Sequence, residues 1–292
     1  MARKKRSQAR DWLENAALRT LIGGLLILPY RVRVPLCGWV MSRVIAPLAG
    51  YRKRIRDNLA LVLPDLPAEE VERLVHRVPN NAGRSVIESY SGAEFMKRAG
   101  TSPVTGPGLA AVEEAHAAKR PIIFLTGHFG NYEASRAAMT ARGYTVGVLY
   151  RPMNNRYFNT HYVAAMEALG TPAFPRGRQG LGGMLRHLRA GGKLGMLIDL
   201  HMYDGEPLTF FGKKALTALS AAELAIKYNA LLVPTYAIRQ DNGLDFEILM
   251  EAPVPHTDPV TMTQALNDSL EDLVRKHLDQ WFWIHRRWKK AR

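Results

Sequence analysis

Residues 121–135 read PIIFLTGHFGNYEAS. Pro121 to Thr126 form an almost unbroken apolar run, the pattern of a strand buried on both faces. Gly127 and Gly130 bracket His128 and permit the sharp turn and close backbone approach that a site needs. Asn131 stands where it can cap the helix that follows. The stretch is therefore a strand–turn–helix unit with His128 in the turn. Glu133 lies five residues on. On one continuous helix that spacing would turn the two side chains about 140° apart. They meet only if His128 precedes the helix and Glu133 sits in its first turn, which is the expectation here.

The pattern repeats on the C-terminal side. Strand-like YTVGVLYR, KLGMLIDL, ALLVPTYAIR and LDFEILMEAPV alternate with helical NYEASRAAMTARG, NRYFNTHYVAAMEALG, LGGMLRHLRAGG and ALTALSAAELAIKYN. Such alternation predicts an α/β layer fold with a largely parallel central sheet flanked by helices. From Thr261 to Trp288 the pattern returns to helix. Residues 51–100 read as helical, with Pro67, Glu69 and Glu70 marking one helix start. The expected organisation is a helical N-terminal segment (1–100), membrane-associated, followed by an α/β domain (101–292) that ends in a Trp-rich helix.

The chain has 292 residues, 47% of them hydrophobic, enough for a large core and too many for a disordered protein. The formal net charge of +14 calls for an anionic partner. Basic residues gather at the ends, in ARKKRSQAR and HRRWKKAR, beside apolar or aromatic segments. That placement fits a membrane surface better than a nucleic-acid groove, and no nucleic-acid partner is expected. Cys37 is the one cysteine, so no internal disulfide and no thiolate metal cluster can form.

After the basic start, Trp12, Leu13, Ala16, Ala17, Leu21, Ile22, Leu25 and Leu26 fall at helical spacing. The charge-free run between Arg19 and Arg31 is shorter than the roughly 20 residues of a membrane span, and Pro29 ends the helix. The preferred reading is an uncleaved helix lying in, or dipping into, a bilayer interface. A pair of ordinary core helices fits the same pattern. Trp281, Trp283 and Trp288 fit either an interfacial belt or a core seam.

A histidine held by a carboxylate can take a proton from a hydroxyl, the carboxylate fixing the tautomer and steadying the imidazolium. If the substrate hydroxyl is itself the nucleophile, no enzyme serine or cysteine is required. Backbone amides near Gly127 to Asn131 are the expected oxyanion donors. Asp199 and His201 would share one face of a strand, yet no third ligand is specified and no metal is expected.

Several stretches together resemble one family, the bacterial lipid A biosynthesis acyltransferases of lauroyl/myristoyl type. TGHFGNYEAS resembles its His-x4-Asp/Glu block, LYRPMNNRYFN its Tyr-Arg-Pro block, and PLTFFGKKALTALSAAELAIKYNALLVPTYAIR its Phe-Phe-Gly block. RKRIRDNLALVLPDL and WFWIHRRWK resemble its N-terminal Arg-Asn-Leu-Pro block and its Trp-rich ending. The resemblance runs in order over nearly the whole chain. It implies an enzyme at the cytoplasmic face of the inner membrane. Such an enzyme moves a fatty acyl chain from acyl-acyl carrier protein to a hydroxyl of an anionic lipid A precursor, without a cofactor. It also implies His128 and Glu133 as the catalytic pair, Arg151 as an anion contact, and Asp199 as a substrate-binding residue. The family usually follows that aspartate with Gln; here Leu200 follows it, which leaves a lysophospholipid or amino-acid-containing lipid as the alternative acceptor. Arginine forks suit phosphate, so Arg176 and Arg178 join Arg151 as expected substrate contacts.

Overall fold

The computed structural model of the chain describes residues 7–289, so parts of both basic ends lie outside the described residues. The first hundred residues are helical: α1 (Gln8–Leu26), α2 (Tyr30–Val40), a π-helical turn (Met41–Ile45), α3 (Ala46–Leu48), α4 (Tyr51–Val62), α5 (Ala68–Tyr90) and α6 (Gly92–Gly100). Pro29 and Pro67 stand at the N-caps of α2 and α5, where the missing N–H costs nothing.

Strands and helices then alternate: β1 (Val104–Thr105), α7 (Leu109–Ala117), β2 (Ile122–Thr126), α8 (Tyr132–Ala141), β3 (Val146–Tyr150), α9 (Arg156–Ala168), β4 (Ala173–Pro175), α10 (Arg178–Arg189) and β5 (Lys193–Leu197). A hairpin follows, β6 (Glu206–Phe210) and β7 (Lys213–Thr217), then α11 (Ser220–Tyr228), β8 (Leu231–Arg239), β9 (Phe246–Met250) and α12 (Pro259–Lys276). The main sheet has seven strands in the order β1-β9-β8-β2-β5-β3-β4. Every neighbouring pair is parallel except β8 with β9. The expected mixed α/β fold with a mostly parallel sheet is what forms.

β2 lies at the centre and is buried along its whole length. Its side chains alternate between two cores. Ile123 and Leu125 face α4, α10 and α12 through Leu59, Leu188 and Leu270. Ile122 and Phe124 face α8, where Ala134, Ala137 and Ala138 keep the helix close to the sheet. The unbroken apolar run is thus the signature of a strand covered on both sides.

Two stretches depart from the sequence expectation. Ala215 to Thr217, read as the start of a helix, belong to β7, paired with Glu206 to Leu208; the helix begins only at Ser220. The C-terminal helix ends at Lys276, and the Trp-rich segment beyond it is not helical. Trp281 and Trp283 are fully buried against Phe210 and Phe211, so of the two readings of the tryptophans the core seam is the one that forms.

Helices α2 and α5 approach so closely that a Cβ on Gly83 would lie 2.5 Å from the Cys37 carbonyl oxygen and from Met41 Cβ. On Gly23, in α1, a Cβ would meet nothing within 4 Å. Gly83→Ala should therefore lose stability by about 1–3 kcal/mol, more than the helix propensity gained. Gly23→Ala should gain up to about 1 kcal/mol. Denaturant midpoints of the two variants measure this, and a Gly83→Ala midpoint equal to the parent's would mean the crossing is looser than described.

Candidate active site

The carboxyl ends of β2 and β5 meet at the centre of the sheet, the edge at which open α/β sheets place their ligands. The two strands are parallel, with Thr126 opposite Leu197. Two residues past each of these stand His128 and Asp199. Register alone therefore brings them together. His128 Nδ1 lies 2.8 Å from Asp199 Oδ1, and the His128 backbone N–H donates to Oδ2 of the same carboxylate at 2.8 Å. Trp281 Nε1–H donates to Oδ2 at 2.9 Å. Asp199 is fully buried. Burial alone would push its carboxyl pKa up. The charge of His128 and its two hydrogen bonds, with the charge of His285, more than offset that and hold it well below the usual carboxylate range.

Correction is needed for the partner of His128. The carboxylate on its imidazole is Asp199, not Glu133. Glu133 does sit in the first turn of α8, as expected, but Oε2 accepts from Arg136 one turn along, at 2.7 Å from Nε and 2.6 Å from the terminal nitrogen. Arg136 is itself buried and donates to the carbonyls of Gly170 and Met166, tying α8 to the end of α9. Glu133 faces that contact, while His128 stays over the sheet edge.

The turn is strapped from outside. Gly130 N–H donates to the Gln280 carbonyl and Phe282 N–H to the His128 carbonyl, making a short antiparallel bridge around Phe129 and Trp281. Gly130 has φ +52°, and a Cβ there would lie 2.0 Å from the Ala237 carbonyl oxygen, so glycine is required. Asn131 caps α8 by accepting from Glu133 N–H at 3.1 Å and donates to buried Glu88. Two of the amides considered as oxyanion donors, those of His128 and Gly130, are consumed by Asp199 and Gln280.

His128 Nε2 has no hydrogen-bond partner among the described residues. Around the ring stand Tyr132 at 5.5 Å, Phe282 at 6.3 Å and His285 at 4.5 Å between centroids. Burial first, and Glu133 second, push the Tyr132 hydroxyl up, so it stays protonated. Beyond Tyr132 opens a cavity of about 170 Å³ between β2, β3 and β5 on one side and α8 and α9 on the other. Phe124, Val148, Met166 and Met196 make its walls apolar, and Glu133, Tyr162 and Arg151 add polar groups. His128 is not among its lining residues; Tyr132 and Thr126 separate the imidazole from the cavity.

Arg151 follows β3, Arg176 follows β4 and Arg178 opens α10, so all three stand along the same sheet edge. They are exposed and have no ion-pair partner among the described residues; only Arg151 lines the cavity. Asp199 is wholly engaged by His128 and Trp281, and His201 instead approaches the Arg287 carbonyl at 3.3 Å. No group of three metal-ligating side chains occurs among the described residues.

His285 carries more weight than its place in the tail suggested. Burial, then the charge of His128, lowers its pKa to about 4, with Arg287 and Arg54 adding to the effect and Asp199 opposing it. Its Nε2 is buried without a hydrogen-bond partner among the described residues. The only sequence signal was the position of a histidine within WFWIHRRW.

A histidine depressed in the folded state stabilises the fold fully above its ordinary value of 6.5, and that contribution fades as pH falls toward about 4. The parent should lose roughly 3 kcal/mol from this source over that window. His285→Phe should remove that part of the loss, seen as a flatter unfolding free energy between those pH values. An unchanged slope would place His285 in water-like surroundings.

A model of the family described as bacterial lipid A biosynthesis acyltransferase matches residues 2–290 of the chain. A lipid A biosynthesis acyltransferase of Haemophilus influenzae is 25% identical, over 95% of this chain and 89% of that protein. Lipid A biosynthesis acyltransferase 2 of Shigella flexneri is 22% identical, over 90% of this chain and 86% of its own length. A phosphatidylinositol mannoside acyltransferase of Mycobacterium tuberculosis is also 22% identical, over 82% and 78%.

Proposed function

The chain belongs to the bacterial lipid A biosynthesis acyltransferase family, and from that premise we propose that it moves a fatty acyl chain from acyl-acyl carrier protein to a hydroxyl of a lipid A precursor at the cytoplasmic face of the inner membrane. One observation carries the chemistry. A buried carboxylate holds Nδ1 of His128 and leaves Nε2 without a partner among the described residues, with an apolar cavity lined by the neighbouring Tyr132.

In this scheme Asp199 takes the orienting role first expected of Glu133. The acceptor hydroxyl oxygen attacks the thioester carbonyl carbon as His128 Nε2 takes its proton, so the new C–O bond forms without an acyl-enzyme. The tetrahedral intermediate collapses with cleavage of the C–S bond. The imidazolium returns the proton to the departing thiolate, giving a free carrier thiol and an ester. Asp199 lies against Nδ1 throughout and stabilises the cationic ring. The protonated Tyr132 hydroxyl is the proposed oxyanion donor, because two of the nearby amides are already engaged. The cavity behind Tyr132 receives the acyl chain, with Glu133 and Arg136 as its polar end. Arg151, Arg176 and Arg178 hold anionic groups of the substrates along the sheet edge.

A second acceptor reading has its own support. Leu200, beside the catalytic aspartate, is 42% exposed where the family usually carries Gln, so a polar contact to the acceptor is missing. A lysophospholipid or an amino-acid-containing lipid fits that change. Among the relatives, the mycobacterial protein is named for an acceptor other than lipid A.

With purified protein, labelled acyl-acyl carrier protein and a panel of lipid acceptors, His128→Ala should lower turnover by roughly 10²–10⁴-fold. Asp199→Asn should fall in the same range, since it presents the wrong partner to Nδ1. Unimpaired transfer by either variant, or a labelled acyl-enzyme in the parent, would remove the scheme. The acceptor that is consumed decides between the two lipid classes.

A further inference from the structure

A second cavity differs from the first in its lining. Its volume is about 400 Å³, and it lies between α4 and the C-terminal segment. Lys53, Arg54, Arg286 and Lys289 line it, against one carboxylate, Asp57. Asp57 is paired with Lys53 at 2.7 Å, and Arg54, Arg286 and Lys289 have no ion-pair partner among the described residues.

The wall is built rather than incidental. The Asn58 side-chain amide donates to the carbonyls of Trp283 and His285, at 2.7 and 2.8 Å, binding α4 to the tail. The Arg54 guanidinium is fixed by a 3.2 Å bond to the Ile284 carbonyl and lies over the Tyr51 ring. Trp288 is anchored through Nε1–H to the Phe210 carbonyl at 3.1 Å. Arg286 is exposed and has no ion-pair partner among the described residues.

Directly beside this basin the chain makes an apolar corner. The helices Tyr30–Leu48 and Tyr51–Val62 meet at 85°. The bend is made at Gly50, whose φ of +69° suits glycine and which itself lines the basin. Leu48 at the tip is 85% exposed, and Val44 and Ile45 are 44% and 40% exposed. A greasy tip followed at once by a cluster of cations is the pattern of a segment that enters a bilayer surface. The apolar groups sit among the acyl chains and the cations sit at the level of the phosphates. An acidic carrier protein would match the charge, but would leave a leucine this exposed without a partner.

We propose that the basin formed by Lys53, Arg54, Arg286 and Lys289 binds the phosphate of an anionic phospholipid in the bilayer surface, with Leu48, Val44 and Ile45 inserted beside it. The site deepens the membrane location in the proposed function and rests on it. It holds the tail that carries His285, so a bound headgroup sets the catalytic edge against the bilayer.

The test is co-sedimentation of the full chain with vesicles of phosphatidylcholine alone and of phosphatidylcholine mixed with phosphatidylglycerol. The triple variant Lys53→Ala, Arg286→Ala, Lys289→Ala is compared with an equal charge change elsewhere, Lys213→Ala, Lys214→Ala, Lys227→Ala. The basin triple should lose anionic-vesicle affinity by roughly 100-fold, about fivefold per side chain. The control triple should stay near the parent. Inorganic phosphate should compete poorly with the vesicles, because it lacks the insertion of Leu48. Arg286→Glu, altering one exposed side chain, should weaken binding on its own and guards against misfolding in the triple. Parental binding by the basin triple, or equal losses in both triples, would overturn the proposal. So would full vesicle binding coupled with a raised KM for acyl-acyl carrier protein, which would make the basin a carrier dock. If the parent itself ignores both vesicle types, the membrane location fails first and separately.

Discussion

A carboxylate buried at the centre of a sheet edge sets the terms for everything around it. Removed from water, the Asp199 side chain needs donors, and an ionised group without them would simply take up a proton. It has three: the imidazole of His128, the backbone N–H of the same residue and the indole of Trp281. These come from segments that are far apart in sequence. Each demand on the local chain follows from keeping them together. Gly127 leaves the room that Leu270 and the carboxylate occupy, Gly130 lets the turn approach Ala237, and the C-terminal strap carries Trp281 into place. The same charge that makes Asp199 costly to bury also holds the ring of His128 in one orientation.

How much of this was legible in the sequence differs by element. The strands β2, β3, β5, β8 and β9 were readable from their apolar runs, most plainly Ile122 to Leu125, which is covered on both faces. The strands β1 and β4, two and three residues long at the sheet's margins, leave almost no pattern to read. Ala215 and Leu216 were taken for helix because alanine and leucine satisfy a helical period as easily as the inward face of a hairpin. Tryptophans 281 and 283 suggested continued helix, whereas the segment is a run of turns joined by one bridge to the turn that carries His128.

The contact expected between His128 and Glu133 does not form, for a reason rooted in topology. Glu133 is near in sequence, and a first-turn carboxylate after a loop histidine is a plausible contact. Its position three residues before Arg136 gave it a stronger local partner, one that is itself buried and fixed to two carbonyls. Asp199 is 71 residues from His128, and only the register of two parallel strands makes them neighbours. Composition and spacing do not encode register between distant strands. The aspartate had been marked for a different role, by resemblance, and the sheet supplies the pairing.

The two cavities offer different media. On the Tyr132 side the walls are phenylalanine, valine and methionine, and a hydrocarbon chain gains by leaving water there. On the His285 side the walls are arginine and lysine around a polar basin, where an alkyl chain would gain nothing and an anion would be held. One pocket could not serve both groups, because the low dielectric that suits the chain would penalise an unpaired phosphate. Keeping the two cavities apart removes that conflict. His285 stands edge-on to His128, and its burial, with the charge of His128 second, holds its pKa low. Keeping that ring neutral leaves the buried Asp199 carboxylate facing one chargeable imidazole instead of two.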